Sequence, residues 1–230
     1  MSNIRVQGYN QISFWQEENV GVIVLRTNSK GLIGVRGIEE LLTALSIASV
    51  DKDVKSIAIT GMNNIFCKGI EMTDSREAKR EFLDACTSLA TLVSSMRKPV
   101  FALLNGDAIN EGYEIALLCD LMISKKGFSL GVDKGYHFKL GGSLTSQRFR
   151  KFKLSKAMES ENTDHLISED ETYLQESLKI IHQEESYPYP ERRYSSMVNL
   201  KSVLDYERSM FLYSEIQEVK NDKEVTADGV

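Results

Sequence analysis

Apolar positions along this chain alternate between short β-branched runs and longer stretches with helical spacing. Val20 to Leu25 (VGVIVL) fits a strand buried on both faces. Ile38 to Ala48 places Ile38, Leu41, Leu42, Leu45 and Ala48 on one side, which predicts an amphipathic helix. After the charged turn Asp51-Lys52-Asp53, Val54 to Thr60 (VKSIAIT) predicts a second buried strand. Residues 76–96 predict a long helix with Phe82, Leu89 and Val93 on its apolar side. Pro99 ends it, and Val100 to Leu104 (VFALL) predicts a third strand. Such alternation implies an α/β fold with parallel pairing and right-handed crossovers.

Asn110 stands at the N-cap position of a further helix, predicted from about Glu111 to Ile123. Toward the C-terminus, Tyr194 to Val219 carries a broad apolar face, including Met197, Leu200, Leu204, Phe211 and Ile216, that needs a cover. The clearest break lies at Ser186 to Glu191, where Pro188 and Pro190 favour an extended connector. The expected organisation is a core over residues 1–185 and a helical, oligomerising tail over 186–230. The polar stretch from Asn221 to Val230 is expected to fray.

Composition narrows the classes. A chain of 230 residues buries a substantial core as one domain with appendages. The net charge of −5 argues against a nucleic-acid partner, which requires a basic footprint. One basic cluster, Arg148, Arg150, Lys151, Lys153 and Lys156, reads as a solvated face. Cys67, Cys86 and Cys119 are odd in number and lack CxxC spacing, so they are expected as reduced, buried side chains of a cytoplasmic protein. His137, His165 and His182 show no ligand clustering, so no metal is expected. The N-terminus lacks the basic and apolar regions of a signal peptide, and no apolar stretch suffices to cross a membrane.

The informative junction is the strand-turn-helix segment Leu103 to Asp120. First-turn N–H groups of a helix have no intrahelical partner and point outward at the positive end of the dipole. They are natural donors to an anion. A second donor is available from the loop Gly61 to Glu71, where Gly69 lets the backbone turn and present the next N–H. Two such converging groups form an oxyanion hole, which stabilises the enolate formed beside a thioester.

These segments resemble the crotonase (enoyl-CoA hydratase/isomerase) superfamily. Thr60-Gly61 followed by Phe66-Cys67-Lys68-Gly69-Ile70 is similar to its T-G…F-C-A-G-x-D segment. Lys98 to Gly106, continuing through Glu114 to Asp120, is similar to its K-P-V-I-A-x-V-N-G…G-G-G-C-E-L-A-x-x-C-D segment. Gly31-Leu32-Ile33 stands where the family has Asn-Ala-Leu. The resemblance covers about residues 20–150 and implies a spiral of strand-turn-helix units with a C-terminal helical region. It further implies an acyl-CoA thioester substrate, coenzyme A only as part of that substrate, no bound cofactor, and a homotrimer or homohexamer. Carried over by position, the oxyanion N–H groups fall on Ile70 and Glu111, and the acid/base carboxylate on Glu114. The CoA contacts fall on Lys30, Leu32, Lys68 and Gly69.

Three departures qualify the resemblance. Glu111 replaces the middle glycine of the Gly-Gly-Gly run, keeping the N–H but adding a bulky anion. The second glutamate of hydratases is missing from Leu130 to His137, where Lys134 aligns and Asp133 or His137 stands nearby. Asp133 or His137, or Glu111 paired with Glu114 three residues on, is the candidate replacement. The polar stretch Glu159 to His165 stands in place of the usual segment after Gly141-Gly142. Two readings therefore stand: an enzyme working through an enolate, with Glu114 as acid/base, or a catalytically weak acyl-CoA-binding or scaffold subunit. The Clp-type serine proteases share the fold, but Glu111 to Glu114 contains no serine.

Overall fold

A computed structural model describes residues 9–73, 75–145, 158–159, 163–167, 172–184 and 199–227. The basic cluster at 148–156 and the proline-rich connector at 186–191 lie outside them.

The apolar runs assemble a six-stranded sheet. Its strands are β1 (Ile12–Glu17), β2 (Val20–Leu25), β4 (Ser56–Thr60), β7 (Val100–Leu104), β9 (Leu121–Lys125) and β12 (His165–Ile167), in that spatial order. Every pairing is parallel except the β1–β2 hairpin. Strict alternation along the strands separates two apolar layers. Ile23, Ile57, Ile59, Ala102 and Leu104 face one side, against α1 (Val35–Val50) and α2 (Arg76–Ser95). Val22, Ala58, Phe101 and Leu103 face the other, against α5 (Tyr173–Glu184). The Lys98 ammonium donates to the carbonyls of Ala48 and Asp51, satisfying the end of α1 just before β7 begins.

Two smaller sheets build the working edge. One orders β11 (Met158–Glu159), β10 (Ser129–Gly131), β8 (Asp107–Ile109) and β5 (Ile65–Cys67); the other pairs β3 (Leu32–Gly34) with β6 (Gly69–Glu71). Helix α3 (Glu111–Leu118) leaves β8 and runs into the core.

The structure corrects the expected length of α3. The helix stops at Leu118, and Leu121 to Ile123 belongs to β9. Asp120 causes the break: its carboxylate accepts the Val100 N–H at 2.8 Å and its own N–H donates to the Val100 carbonyl at 2.7 Å. That clamp starts β9 beside β7, where an apolar run is buried on both faces.

The C-terminal helix α6 (Leu200–Ala227) lies on the chain's own core. Leu200, Leu204 and Phe211 are buried there, with Phe211 edge-on to Phe82 of α2 at 6.3 Å between ring centroids. Arg208 pairs with Asp84 and Lys79 with Glu215 along the seam. The helix continues to Ala227, well into the stretch expected to fray.

Candidate functional site

The site forms where β6, the start of α3 and the segment from Tyr136 to Ser143 meet under α6. Parallel pairing of β3 with β6 sets Leu32 beside Gly69 and Ile33 beside Ile70. The Lys68 N–H donates to the Gly31 carbonyl at 2.8 Å, so the residues expected to contact CoA share one edge. Asn28 fixes that edge by accepting the N–H groups of Lys30 and Leu32 at 2.9 and 3.0 Å. Lys30 is exposed, whereas the Lys68 ammonium pairs with Asp107 at 2.7 Å. Gly69 has a φ of 150°, the turn that leaves the Ile70 N–H facing α3.

Asn110 precedes α3 with φ 52° and ψ −120°, a conformation that favours glycine. It is the N-cap residue, as the sequence predicts, although its side chain makes no capping bond. Instead its Nδ2 donates to the Asp133 carboxylate at 2.8 Å, and its Oδ1 accepts the Asp133 N–H at 2.9 Å. The Asn110 N–H also reaches the Gly131 carbonyl at 2.9 Å. These three bonds hold the strained residue that aims the first turn of α3. Asp133 is exposed and engaged with Asn110, and Lys134 beside it is exposed.

Glu111 departs most from the expected site. Its N–H is in the first helical turn, but its carboxylate folds back onto the other donor. Oε2 accepts the Ile70 N–H at 3.3 Å, and Oε1 contacts the Lys139 ammonium at 2.9 Å. The Ile70 N–H is therefore already taken by a carboxylate of the protein itself. Lys139 is buried: its ammonium also donates to the His137 carbonyl at 2.7 Å and lies 3.8 Å from the Tyr136 ring centroid and 5.0 Å from that of Phe211.

Glu114 is fully buried and takes different partners. It accepts the Tyr136 hydroxyl at 2.6 Å and the N–H groups of Lys139, Leu140 and Gly142 at 2.9 to 3.1 Å. Glu207 of α6 accepts the intervening Gly141 and Ser143 N–H groups at 2.7 and 2.9 Å. Five successive N–H groups, from residues 139 to 143, are thus divided between two buried carboxylates. A Cβ on Gly142 would lie 2.6 Å from Glu114 Oε1 and 2.2 Å from the Phe138 ring, so that close approach requires glycine. Burial, with the Glu207 charge adding to it, raises the Glu114 pKa from 4.5 to about 8, against the opposing bonds from Tyr136 and the Lys139 charge.

Glu111 and Glu114 therefore do not share one set of partners. Lys139 links them, its ammonium on Glu111 and its backbone N–H on Glu114. Sequence reading did not find Lys139, Tyr136 or Glu207. Glu207 carried a signal: a charge within the apolar series Leu200, Leu204, Phe211 of one helix face. Lys139 and Tyr136 carried none.

An α/β body in which the start of a helix lies against the N–H of a short strand has the arrangement of a crotonase-fold protein. Residues 16–133, just over half of the chain, match the enoyl-CoA hydratase/isomerase family, and the chain belongs to it. A probable mitochondrial enoyl-CoA hydratase of Dictyostelium discoideum is 33% identical over 150 residues, covering 61% of this chain and 52% of that protein. A probable peroxisomal enoyl-CoA hydratase 1 of Arabidopsis thaliana is 28% identical over 116 residues, covering 49% and 44%. The chain thus spans about half the length of these relatives. In fold it is similar to an enoyl-CoA hydratase from Mycobacterium avium subsp. paratuberculosis, with a TM-score of 0.73 at 17% identity over 89% of this chain and 93% of that one. No helix among the described residues is long and apolar enough to cross a membrane.

Proposed function

We propose that this chain is an acyl-CoA-site protein of the enoyl-CoA hydratase/isomerase family whose hydratase chemistry is silenced. The observation that carries this reading is the Glu111 carboxylate on the Ile70 N–H, held there by Lys139. A neutral thioester oxygen entering the hole has to displace an anion already bonded to its donor. Displacement also strands a buried ammonium, at a cost of about 3–5 kcal/mol for breaking a buried pair. Hydration further needs a carboxylate with a free lone pair to direct water. Glu114 spends its oxygens on Tyr136 and three backbone N–H groups. The site then binds or organises rather than hydrates.

The experiment is turnover of crotonyl-CoA and 3-hydroxybutyryl-CoA by the full chain, with Glu114→Gln alongside. No turnover by either protein is expected. Wild-type turnover that Glu114→Gln abolishes would contradict the proposal. It would favour the second reading, an enolate enzyme using Glu114, for which the raised pKa of about 8 is the favourable observation.

A further inference from the structure

The Glu111–Lys139 contact also selects what kind of ligand can open the site; this inference rests on the closed-hole reading above. One carboxylate spans the Ile70 N–H, at 3.3 Å from Oε2, and the Lys139 ammonium, at 2.9 Å from Oε1. The hole donor and the buried cation are therefore separated by the bite of a single carboxylate. The side chain of Lys139 is 5% exposed, so water does not replace Glu111 as its counter-ion. Among the described residues, the other carboxyl groups near it are already committed: Glu114 to Tyr136 and the 139–142 backbone, Glu207 to Gly141 and Ser143. Its other close neighbours are the rings of Tyr136 and Phe211, whose faces attract a cation without neutralising it.

A ligand that pushes Glu111 out must then supply the negative charge itself, close to the oxygen it places in the hole. We propose that the site takes acyl thioesters bearing a carboxylate on the carbon next to the thioester, the malonyl type. The thioester oxygen replaces Glu111 Oε2 on the Ile70 N–H, and the ligand carboxylate replaces Oε1 on the Lys139 ammonium. Two carbonyl groups on one carbon match the short separation; a longer succinyl chain carries its charge past it, and a butyryl chain carries none. Lys139 is on this account the specificity-determining residue, and no bond is made or broken.

Calorimetric titration of the 230-residue chain with malonyl-CoA, succinyl-CoA and butyryl-CoA tests it. Malonyl-CoA is expected to bind tightest, by about tenfold or more over butyryl-CoA, a difference of about 1.4 kcal/mol. In Glu111→Gln/Lys139→Met, where no charge is left unpaired, that preference is expected to vanish. Equal affinity for malonyl- and butyryl-CoA in the wild type overturns the inference, as does a malonyl preference that survives in the double variant. Binding of none of the three also overturns it, while leaving the closed-hole reading intact. Crotonyl-CoA turnover, measured separately, is the result that removes the closed-hole reading.

Discussion

The cradle made by β3, β6 and the start of α3 differs in kind from the lid made by residues 136–143 and α6. The cradle is backbone: parallel pairing at Leu32–Gly69 and Ile33–Ile70, a glycine turn, and a first-turn N–H. Side-chain replacement leaves such donors in place, so the cradle persists even with Glu111 at a glycine position. The lid is side-chain chemistry: Glu114, Glu207, Tyr136 and Lys139 brought together from separate elements. Replacing one residue there changes what the cradle can hold. A fold can thus keep a backbone cradle while one of its own carboxylates takes the donor that the cradle presents.

The largest expected effect falls on the lid. Lys139→Met leaves Glu111 buried without its cation and is expected to cost about 3–5 kcal/mol in urea denaturation. Pairing it with Glu111→Gln is expected to recover most of that loss, because both charges leave together. A cost for Lys139→Met below about 1 kcal/mol, the level of an exposed pair, would show that the contact is not a buried one.

Glu114→Ala comes next, since it removes the acceptor for three backbone N–H groups. The expected loss is about 3 kcal/mol, at about 1–3 kcal/mol for each unsatisfied buried donor with partial relaxation. Glu114→Gln keeps a carbonyl for those donors and an amide for the Tyr136 oxygen, and is expected to cost much less. It should also remove a pH dependence. The folded-state pKa of Glu114, about 8, lies above its ordinary 4.5. Its contribution is therefore intact below the lower value and lost as pH rises toward the upper one. Across that interval the wild-type Tm should fall relative to that of Glu114→Gln; parallel profiles would mean Glu114 is ionised in the folded protein near neutral pH.

The smallest effect belongs to the cradle. Asp133→Ala removes the partner of Asn110 and is expected to cost about 1 kcal/mol, one to two modest hydrogen bonds at a part-exposed site. Asn110→Gly in the same background should restore stability, because glycine accepts the φ of 52° without help. Failure of that rescue would mean the Asn110–Asp133 pair does not offset backbone strain.

The same division explains what could be read from the sequence. Strands β2, β4 and β7 and helices α1 and α2 follow from local periodicity, and motif spacing drew attention to Leu32, Gly69, Ile70 and Glu111, which the β3–β6 pairing and the Ile70 N–H bond to Glu111 bring into one region. The end of α3 was missed because Leu121-Met122-Ile123 continues an apolar run that suits helix or strand alike. Only the clamp between Asp120 and Val100 decides it. The lid was not legible because its contacts span long sequence separations: Glu114 reaches Leu140, and Glu207 reaches Gly141 from 66 residues away. The direction of the Glu111 side chain depended on a lysine 28 residues later.

Closure of the hole by Glu111 is the central claim, and butyryl-CoA tests it most directly because it carries no charge of its own. Its affinity should be measured for the wild type and for Glu111→Gly/Lys139→Met, which empties the hole and removes the stranded cation. Closure predicts at least about tenfold tighter binding by the double variant, the equivalent of about 1.4 kcal/mol. Equal affinity, or tighter binding by the wild type, would contradict it.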